Sequence, residues 1–353
     1  MVNVKIEKPF SPPEDGPAGG EIAGSNSFSL AHLSDPHLTS LVGIKPSQLL
    51  SKRIQGYFSW LSKRRFIHRR EIVDSLVDDL RIARPDHIVV TGDLTHLGLP
   101  MEYVEAREWL DTLGSPEQVT VIPGNHEAYW GKDWLEQCSV WEPYLKSDSA
   151  LDGVVTAKFF PSLRIRGNIA LIGLNSARPS LPFLATGSLG REQLSGLEDL
   201  LHWTGDRGLM RVVLIHHPPL SGMEKRRKHL TDSSSLTTVL QRCGAELVLY
   251  GHRHVASLNR LQTSAGIIPV IGVPSASALS SHFDHCAKYN LYQIEKTFSG
   301  WKVRMQVHGY SVAQQHFIQE QEVVLTIPSI LNTDRKLGAG FSGSCSGDTK
   351  HQP

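Results

Sequence analysis

The chain has 353 residues, of which 40% are hydrophobic and 20% are charged, so it can build a globular core and is neither disordered nor fibrous. Its 36 basic and 35 acidic residues leave a net charge of +1, which excludes a strong overall attraction to nucleic acid, and we expect no nucleic-acid partner. Its four cysteines are widely spaced without a CxxC pair, which disfavours a disulfide-rich secreted domain and indicates a cytoplasmic location.

The two ends of the chain differ in composition from the rest. Residues 1–27 and 331–353 are rich in Pro, Gly, Ser and other polar residues, and we predict that both are flexible tails. No run approaches the roughly 20 apolar residues that span a bilayer, so membrane contact would be peripheral. One domain is therefore predicted over residues 28–330.

Short apolar runs alternate with amphipathic segments along this domain. Strands are predicted over 28–33, 87–91, 119–122, 169–174, 212–215, 247–250 and 267–273, and then over 289–294, 301–307 and 322–327. Helices are predicted over 68–83, 101–113, 131–145, 190–204 and 233–243. The alternation favours an α/β fold, and the last three strands, which follow one another without helices, are expected to form a second, partly antiparallel sheet.

Five of the apolar runs end in side chains that bind divalent metals. Asp35 and His37 follow the first run, and His252 and His254 follow the sixth; residues two apart in an extended chain project to the same side, so each pair can hold an ion. Asp93 has two carboxylate oxygens with which it could bridge two cations. The remaining runs end in Asn125-His126 and His216-His217. We expect all five groups at the carboxyl ends of the strands of one open sheet.

The five groups read DxH, GD, GNHE, HH and GHxH between residues 35 and 254. In this order they resemble the signature of the calcineurin-like metallophosphoesterases. The resemblance implies a four-layer αββα sandwich with two mixed sheets and helices on the outer faces. It also implies two divalent ions, Mn²⁺, Fe²⁺/Fe³⁺ or Zn²⁺.

The resemblance further implies a role for each residue of the signature. One ion would be bound by Asp35, His37 and His254, the other by Asn125, His216 and His252, with Asp93 bridging both. His126 would face the phosphate as a catalytic residue and bind no metal. Outside the resemblance, His96 lies three residues past Asp93 and His217 follows His216, and both are candidates for substrate contact.

A segment between the first two groups is both basic and aromatic. Within a predicted insertion over 45–70, residues 49–70 carry seven Lys or Arg side chains interleaved with four aromatic ones. One interpretation is a solvated helix with its apolar face on the core. The other is a cap beside the active site that contacts anionic lipid or a phosphorylated lipid-like substrate.

The expected activity is hydrolysis of a small phosphodiester, such as a cyclic nucleotide, by attack of a metal-bound hydroxide. Two alternatives stay open at this point. The substrate could be UDP-2,3-diacylglucosamine, whose pyrophosphate other members of the family split, or the fold could be a binding scaffold without catalysis. The oligomeric state is left open.

Overall fold

The computed structural model describes residues 27–38, 41–49, 52–129, 131, 133–149, 159–280 and 285–329. Apart from Ser27, the predicted tails lie outside this part of the chain.

Twelve strands are found in the described part of the chain. They are β1 (Phe28–Leu33), β2 (His87–Val90), β3 (Val119–Val121), β4 (Ser162–Arg166), β5 (Ile169–Gly173), β6 (Met210–Ile215), β7 (Leu247–Tyr250), β8 (Ser257–Thr263), β9 (Gly266–Gly272), β10 (Lys288–Thr297), β11 (Gly300–Ser311) and β12 (His316–Pro328). They form two six-stranded sheets, ordered β12-β11-β10-β1-β2-β3 and β4-β5-β6-β7-β9-β8. Both sheets are mixed. In the first, the parallel pairs β1-β2 and β2-β3 form one edge and the antiparallel pairs lie on the other side of β1. In the second, central parallel pairs are flanked by antiparallel ones.

The helices lie in the connections between strands. They are α1 (Lys52–Ser59), which continues through a π-helical turn (Trp60–Arg64) into α2 (Arg65–Ile67), then α3 (Arg70–Ala83), α4 (Pro100–Leu113), α5 (Trp134–Gln137), α6 (Glu142–Leu145), α7 (Arg191–Gly205) and α8 (Ser233–Cys243). Within the ranges given above, no helix is long and apolar enough to cross a membrane.

Three apolar layers show how the elements stack. Leu30 of the first sheet and Leu214 of the second belong to a buried cluster between the two sheets. Leu76 of α3 packs with the outer face of the first sheet, and Leu197 of α7 packs with that of the second. The order helix, sheet, sheet, helix confirms the predicted αββα sandwich.

The prediction that the last three strands form a separate sheet is wrong. β10 pairs antiparallel with β1, with Phe28 opposite Ile294, so the C-terminal strands extend the sheet that β1 begins. An apolar pattern indicates that a strand is buried, but it does not determine which other strand it pairs with. The predicted strands missed β4 and β8, whose sequences SLRIR and SLNRLQT mix polar and apolar residues.

The helix predicted over 131–145 is interrupted. A 3₁₀ turn, Cys138–Trp141, separates α5 from α6. Pro143 lies in the first turn of α6, where its missing N–H and fixed φ are tolerated, and it cannot continue a helix that begins further upstream.

A buried ion pair joins the two strands that carry site residues in the second sheet. Arg211 of β6 donates from Nε and Nη2 to the two carboxylate oxygens of Glu246, at 2.9 and 2.8 Å. The Arg211 side chain is fully buried, and the backbone N–H of Arg211 also donates to Glu246. Glu246 precedes β7, so the pair fixes the spacing of β6 and β7.

Removing one partner of this pair should destabilise the protein strongly. We expect Glu246→Ala to lower the free energy of unfolding by about 3–5 kcal/mol, because it leaves the buried Arg211 cation uncompensated. The matched change Glu322→Ala removes an exposed pair with Arg304 and should cost less than about 1 kcal/mol. Urea unfolding followed by circular dichroism measures both, and equal losses would contradict the expectation.

Candidate metal centre

The site lies where the carboxyl ends of strands from both sheets meet. Asp35 and Asp93 follow β1 and β2 in the first sheet, whereas His216 and His252 follow β6 and β7 in the second. The expectation that all five groups lie at the end of one open sheet is therefore wrong, since each sheet supplies part of the set. The reason is the face-to-face packing of the two sheets, which brings two rows of strand ends together.

Left-handed backbone is concentrated among the predicted ligands. The residues concerned and their φ angles are Asp35 (54°), His37 (43°), Asp93 (57°), His252 (67°) and His254 (54°). This conformation costs a non-glycine residue about 1–2 kcal/mol. Backbone hydrogen bonds hold the turns, because the N–H of Asp35 donates to Gly92 O at 2.9 Å and that of His37 to Asp93 O at 3.1 Å. Such strain is typical of functional sites.

Asp35, His37 and His254 form the first group of converging ligand atoms, all within 4.8 Å of one another. His254 Nε2 lies 3.0 Å from Asp35 Oδ1. His37 donates from Nδ1 to the carbonyl of Thr95 at 2.8 Å, so its Nε2 carries a lone pair. This buried Nε2 has no hydrogen-bond partner among the described residues. An orphaned nitrogen beside a carboxylate fits a bound cation.

Asp93, His216 and His252 form the second group, which Asn125 joins. His216 donates from Nδ1 to Thr91 O at 2.7 Å. Its Nε2 lies 3.2 Å from Asn125 Oδ1, 3.2 Å from His252 Nδ1 and 3.4 Å from Asp93 Oδ2. This cluster of nitrogen and oxygen atoms fits a bound cation. Burial lowers the pKa of His216, but Asp93 outweighs burial and raises that pKa to about 9.

Asp93 lies between the two groups. Its Oδ2 is 3.4 Å from His216 Nε2 in the second group and 4.0 Å from His37 Nε2 in the first. This arrangement fits a carboxylate shared by two cations. Nitrogen and oxygen donors without a thiolate suit Mn²⁺, iron or Zn²⁺.

Glycine is required where two of these loops touch a ligand. A Cβ at Gly251 would lie 2.6 Å from Asp35 Oδ2, and a Cβ at Gly92 would lie 2.5 Å from the backbone nitrogen of Gly124. Contacts this short exclude a side chain, so both glycines permit the close approach of backbone to the site.

Sequence reasoning missed the structural role of Glu127, which joins two of the ligand loops. Its carboxylate accepts hydrogen bonds from the backbone N–H groups of Asp93 (2.9 Å), Thr95 (2.9 Å) and Gly124 (2.6 Å). Burial, followed by the charge of Asp93, raises the pKa of Glu127 to about 7. The one available signal was its position directly after Asn125-His126.

His126 lies beside the metal ligands. Its backbone N–H donates to Asp93 Oδ1 at 2.8 Å, and its Nδ1 donates to the carbonyl of His96 at 2.5 Å. Its Nε2 lies 4.0 Å from Asp93 Oδ2 and accepts a hydrogen bond from Arg64 Nη1 at 2.9 Å. The reactive edge of the imidazole is therefore turned toward the centre.

The two candidates for substrate contact occupy different surroundings. His96 is buried and its ring stacks on that of His37, with centroids 5.0 Å apart. His217 has both ring nitrogens near protein groups, Nδ1 at 2.8 Å from Ser176 Oγ and Nε2 at 3.1 Å from Ala185 O. The His217 ring packs against His252, so its geometry suits orienting that residue.

Two site residues in the basic, aromatic segment were not singled out from the sequence. Arg64 contacts His126, and the ring of His68 packs against that of His37 with centroids 4.4 Å apart. His68 Nδ1 lies 2.8 Å from Ser277 Oγ. The density of basic residues in this segment indicated a cap but could not distinguish one cation from the next.

Residues 28–256 match the calcineurin-like phosphoesterase family. This match spans more than half of the chain, which therefore belongs to that family and is a metal-dependent phosphoric ester hydrolase.

The chain is also similar to particular relatives. A probable cyclic nucleotide phosphodiesterase of Synechococcus is 26% identical over 242 residues, which cover 68% of this chain and 82% of the relative. The glycerophosphodiester phosphodiesterase GpdQ of Enterobacter lignolyticus is 30% identical over 196 residues, or 54% of this chain and 57% of the relative. Among solved structures, a dimetal phosphatase from Danio rerio has a TM-score of 0.52 at 15% identity, covering 85% of this chain and 98% of that one. The last similarity supports the fold.

Replacing Glu127 should disturb the centre without touching any ligand. We expect Glu127→Gln to lower the content of bound Mn²⁺, because the amide NH₂ cannot accept the backbone hydrogen bonds that hold the loops of Asp93 and Gly124. Elemental analysis after dialysis against metal measures this loss. The control is Glu108→Gln on the exposed face of α4, which should keep the wild-type content. Retention of all metal by Glu127→Gln would show that the loops hold without this carboxylate.

Proposed function

We propose that this protein hydrolyses a small phosphodiester with two divalent ions held by seven residues. The first ion is assigned to Asp35, His37 and His254, the second to Asn125, His216 and His252, and Asp93 bridges. The observation that carries this proposal is the convergence of two three-ligand groups on the shared carboxylate of Asp93. A reducing cytoplasm suits the buried free thiols of Cys138 and Cys243.

The metal ions and His126 have different roles in the proposed hydrolysis. When bound, the two ions would polarise the phosphate and lower the pKa of a water molecule between them. His126 then serves as the group that stabilises the phosphoryl oxygens or delivers a proton to the departing alcohol, a contribution of about 10²–10⁴-fold in rate. In either role its Nε2 first takes up a proton from the attacking water, in place of the hydrogen bond that it accepts from Arg64. The carbonyl of His96 and the N–H of His126 toward Asp93 keep this imidazole in place.

Space for part of a substrate lies beside one of the assigned metal ligands. A cavity of about 420 Å³ adjoins the first ligand group and is lined in part by His37, Trp60, His68 and His96. It has room for one alcohol group of a diester. The relatives named as cyclic nucleotide and glycerophosphodiester phosphodiesterases support the same substrate class, with a cyclic nucleotide as our first choice.

Metal content and turnover should separate the ligands from His126. We expect Asp93→Ala to lose both bound metal and activity, because it removes the shared carboxylate. His126→Ala should keep its metal and lose about 10²–10⁴-fold in kcat, since it removes the catalytic imidazole and none of the assigned metal ligands. The measurements are elemental analysis and hydrolysis of bis-p-nitrophenyl phosphate, with the melting temperature of each variant as the folding control. Loss of metal from His126→Ala would contradict the role assigned to it.

A panel of substrates decides the substrate class. Mn²⁺-loaded protein is assayed with cyclic AMP, glycerophosphocholine, bis-p-nitrophenyl phosphate, p-nitrophenyl phosphate and UDP-2,3-diacylglucosamine. Faster turnover of the diesters than of p-nitrophenyl phosphate supports the proposal. Activity confined to UDP-2,3-diacylglucosamine would overturn it.

One observation favours that lipid substrate as a second candidate. The segment from α1 to α2 exposes Ile54, Phe58, Leu61 and Phe66, an apolar surface beside the site. Such a surface, bordered by basic residues, can contact anionic lipid. Pelleting with vesicles rich in anionic lipid would support this contact if the double variant Phe58→Ser, Phe66→Ser abolished it. Equal pelleting of wild type and variant would show that the apolar surface does not contact the lipid.

A further inference from the structure

Arg64 reaches the centre from outside the signature. It ends the π-helical turn Trp60–Arg64, and its Nη1 lies 2.9 Å from His126 Nε2 and 3.4 Å from His126 Nδ1. Because Nδ1 of His126 already donates to the carbonyl of His96, the hydrogen bond from Arg64 goes to Nε2. The guanidinium therefore lies beside the imidazole edge that faces Asp93.

The charge of Arg64 has no counterion in the part of the chain that the structure describes. Its hydrogen bonds there go to the His126 ring, and no carboxylate lies within 4 Å of it. Burial lowers the pKa of Arg64, whereas Tyr129 and the more distant Asp93 and Asp35 raise it. Two divalent ions would carry more positive charge than the carboxylates of Asp93 and Asp35 can neutralise. These carboxylates would then leave the charge of Arg64 uncompensated. A cation in this position is stabilised when an anion joins the site.

The fold fixes Arg64 in this position. At the start of the insertion, Lys52 Nζ donates to Ser180 Oγ and Leu184 O, both at 2.8 Å, and Arg53 Nη2 donates to Gly98 O at 2.6 Å. In the next turns, Gly56 lies against the side chains of Tyr129 and Leu97 so closely that a Cβ would collide with both.

The π-helical turn itself also points to a role in the site. Such turns occur frequently at functional sites, because the extra residue rotates the side chains that follow it. Trp60 at its start is 4% exposed and packs in an apolar cluster with Leu41, Leu97, Leu99 and Tyr129. The side chain at the end of the turn therefore extends from a packed support.

We propose that Arg64 binds a non-bridging phosphate oxygen of the substrate and, with the same guanidinium, positions the His126 ring. A guanidinium offers several N–H donors in one plane, so one can donate to the unprotonated Nε2 of His126 while another binds an anionic oxygen. This makes the insertion a source of affinity for phosphate, independent of the metal ligands. The inference rests on the proposed phosphodiesterase function.

Binding of inorganic phosphate tests the inference without turnover. Isothermal titration of Mn²⁺-loaded protein with phosphate is carried out on wild type, Arg64→Gln, Arg64→Lys and Lys63→Gln. We expect Arg64→Gln to weaken binding by about 10- to 100-fold, the range for one charged hydrogen bond, with unchanged metal content. Arg64→Lys should fall between, because it keeps the charge and loses the planar donors. Lys63→Gln, an exposed change in the same turn, should match wild type.

Kinetics on bis-p-nitrophenyl phosphate add a second readout. For Arg64→Gln we expect KM to rise in parallel with the weaker phosphate binding, and kcat to fall as well because His126 loses its support. Added guanidinium should restore part of the activity of Arg64→Ala and none of that of His126→Ala. A raised KM together with this selective rescue supports the inference.

Several results would overturn it. Phosphate affinity of Arg64→Gln within about twofold of Lys63→Gln would show that Arg64 does not bind phosphate. A lower kcat with unchanged phosphate affinity would leave only support of His126 and would also reject the binding role. If fully metal-loaded wild type hydrolysed no diester, the proposed function would fail, and the phosphate titration would still decide whether Arg64 binds the anion.

Discussion

The carboxylate of Glu127 and the backbone N–H groups of the Asp93 and Gly124 loops make the contact on which the rest of the site depends. These hydrogen bonds join the ends of β2 and β3, and they place Asp93 between the two groups of histidines that are the predicted metal ligands. Buried N–H groups must find acceptors, and a single buried glutamate satisfies three of them here. Burial and then the neighbouring Asp93 raise the pKa of Glu127, and a bound cation would compensate the negative charge of this pair of carboxyl groups.

The ligand loops store strain that this framework stabilises. Asp35, His37, Asp93, His252 and His254 all adopt left-handed backbone, which each residue would leave if the surrounding hydrogen bonds were lost. Two packed sheets supply the restraint, because the apolar layer between the sheets holds the strands of both together, and the buried pair of Arg211 with Glu246 joins β6 and β7 at their amino ends. The centre is therefore preorganised by the fold, as metal catalysis requires.

The segment between β1 and α3 places two further side chains at the site. Its inner side brings Arg64 and His68 to the ligands, whereas its outer side exposes apolar side chains such as Phe58 and Phe66. The same segment thus contacts the candidate metal centre on one side and solvent on the other. Because phosphoesterases with similar ligand sets act on different esters, such additions are the natural place for substrate choice.

The sequence by itself determined the fold class, the family and the order of the donor groups, because each donor group follows an apolar run within a few residues. Its prediction of an αββα sandwich is confirmed, and the residues assigned as ligands are brought together. Only the tertiary structure decided that β10 pairs with β1, that both sheets contribute to the site and that Glu127 and Arg64 join it. These features depend on contacts between segments far apart in the chain, and local periodicity and spacing carry no information about which distant partner a strand or a charged side chain meets.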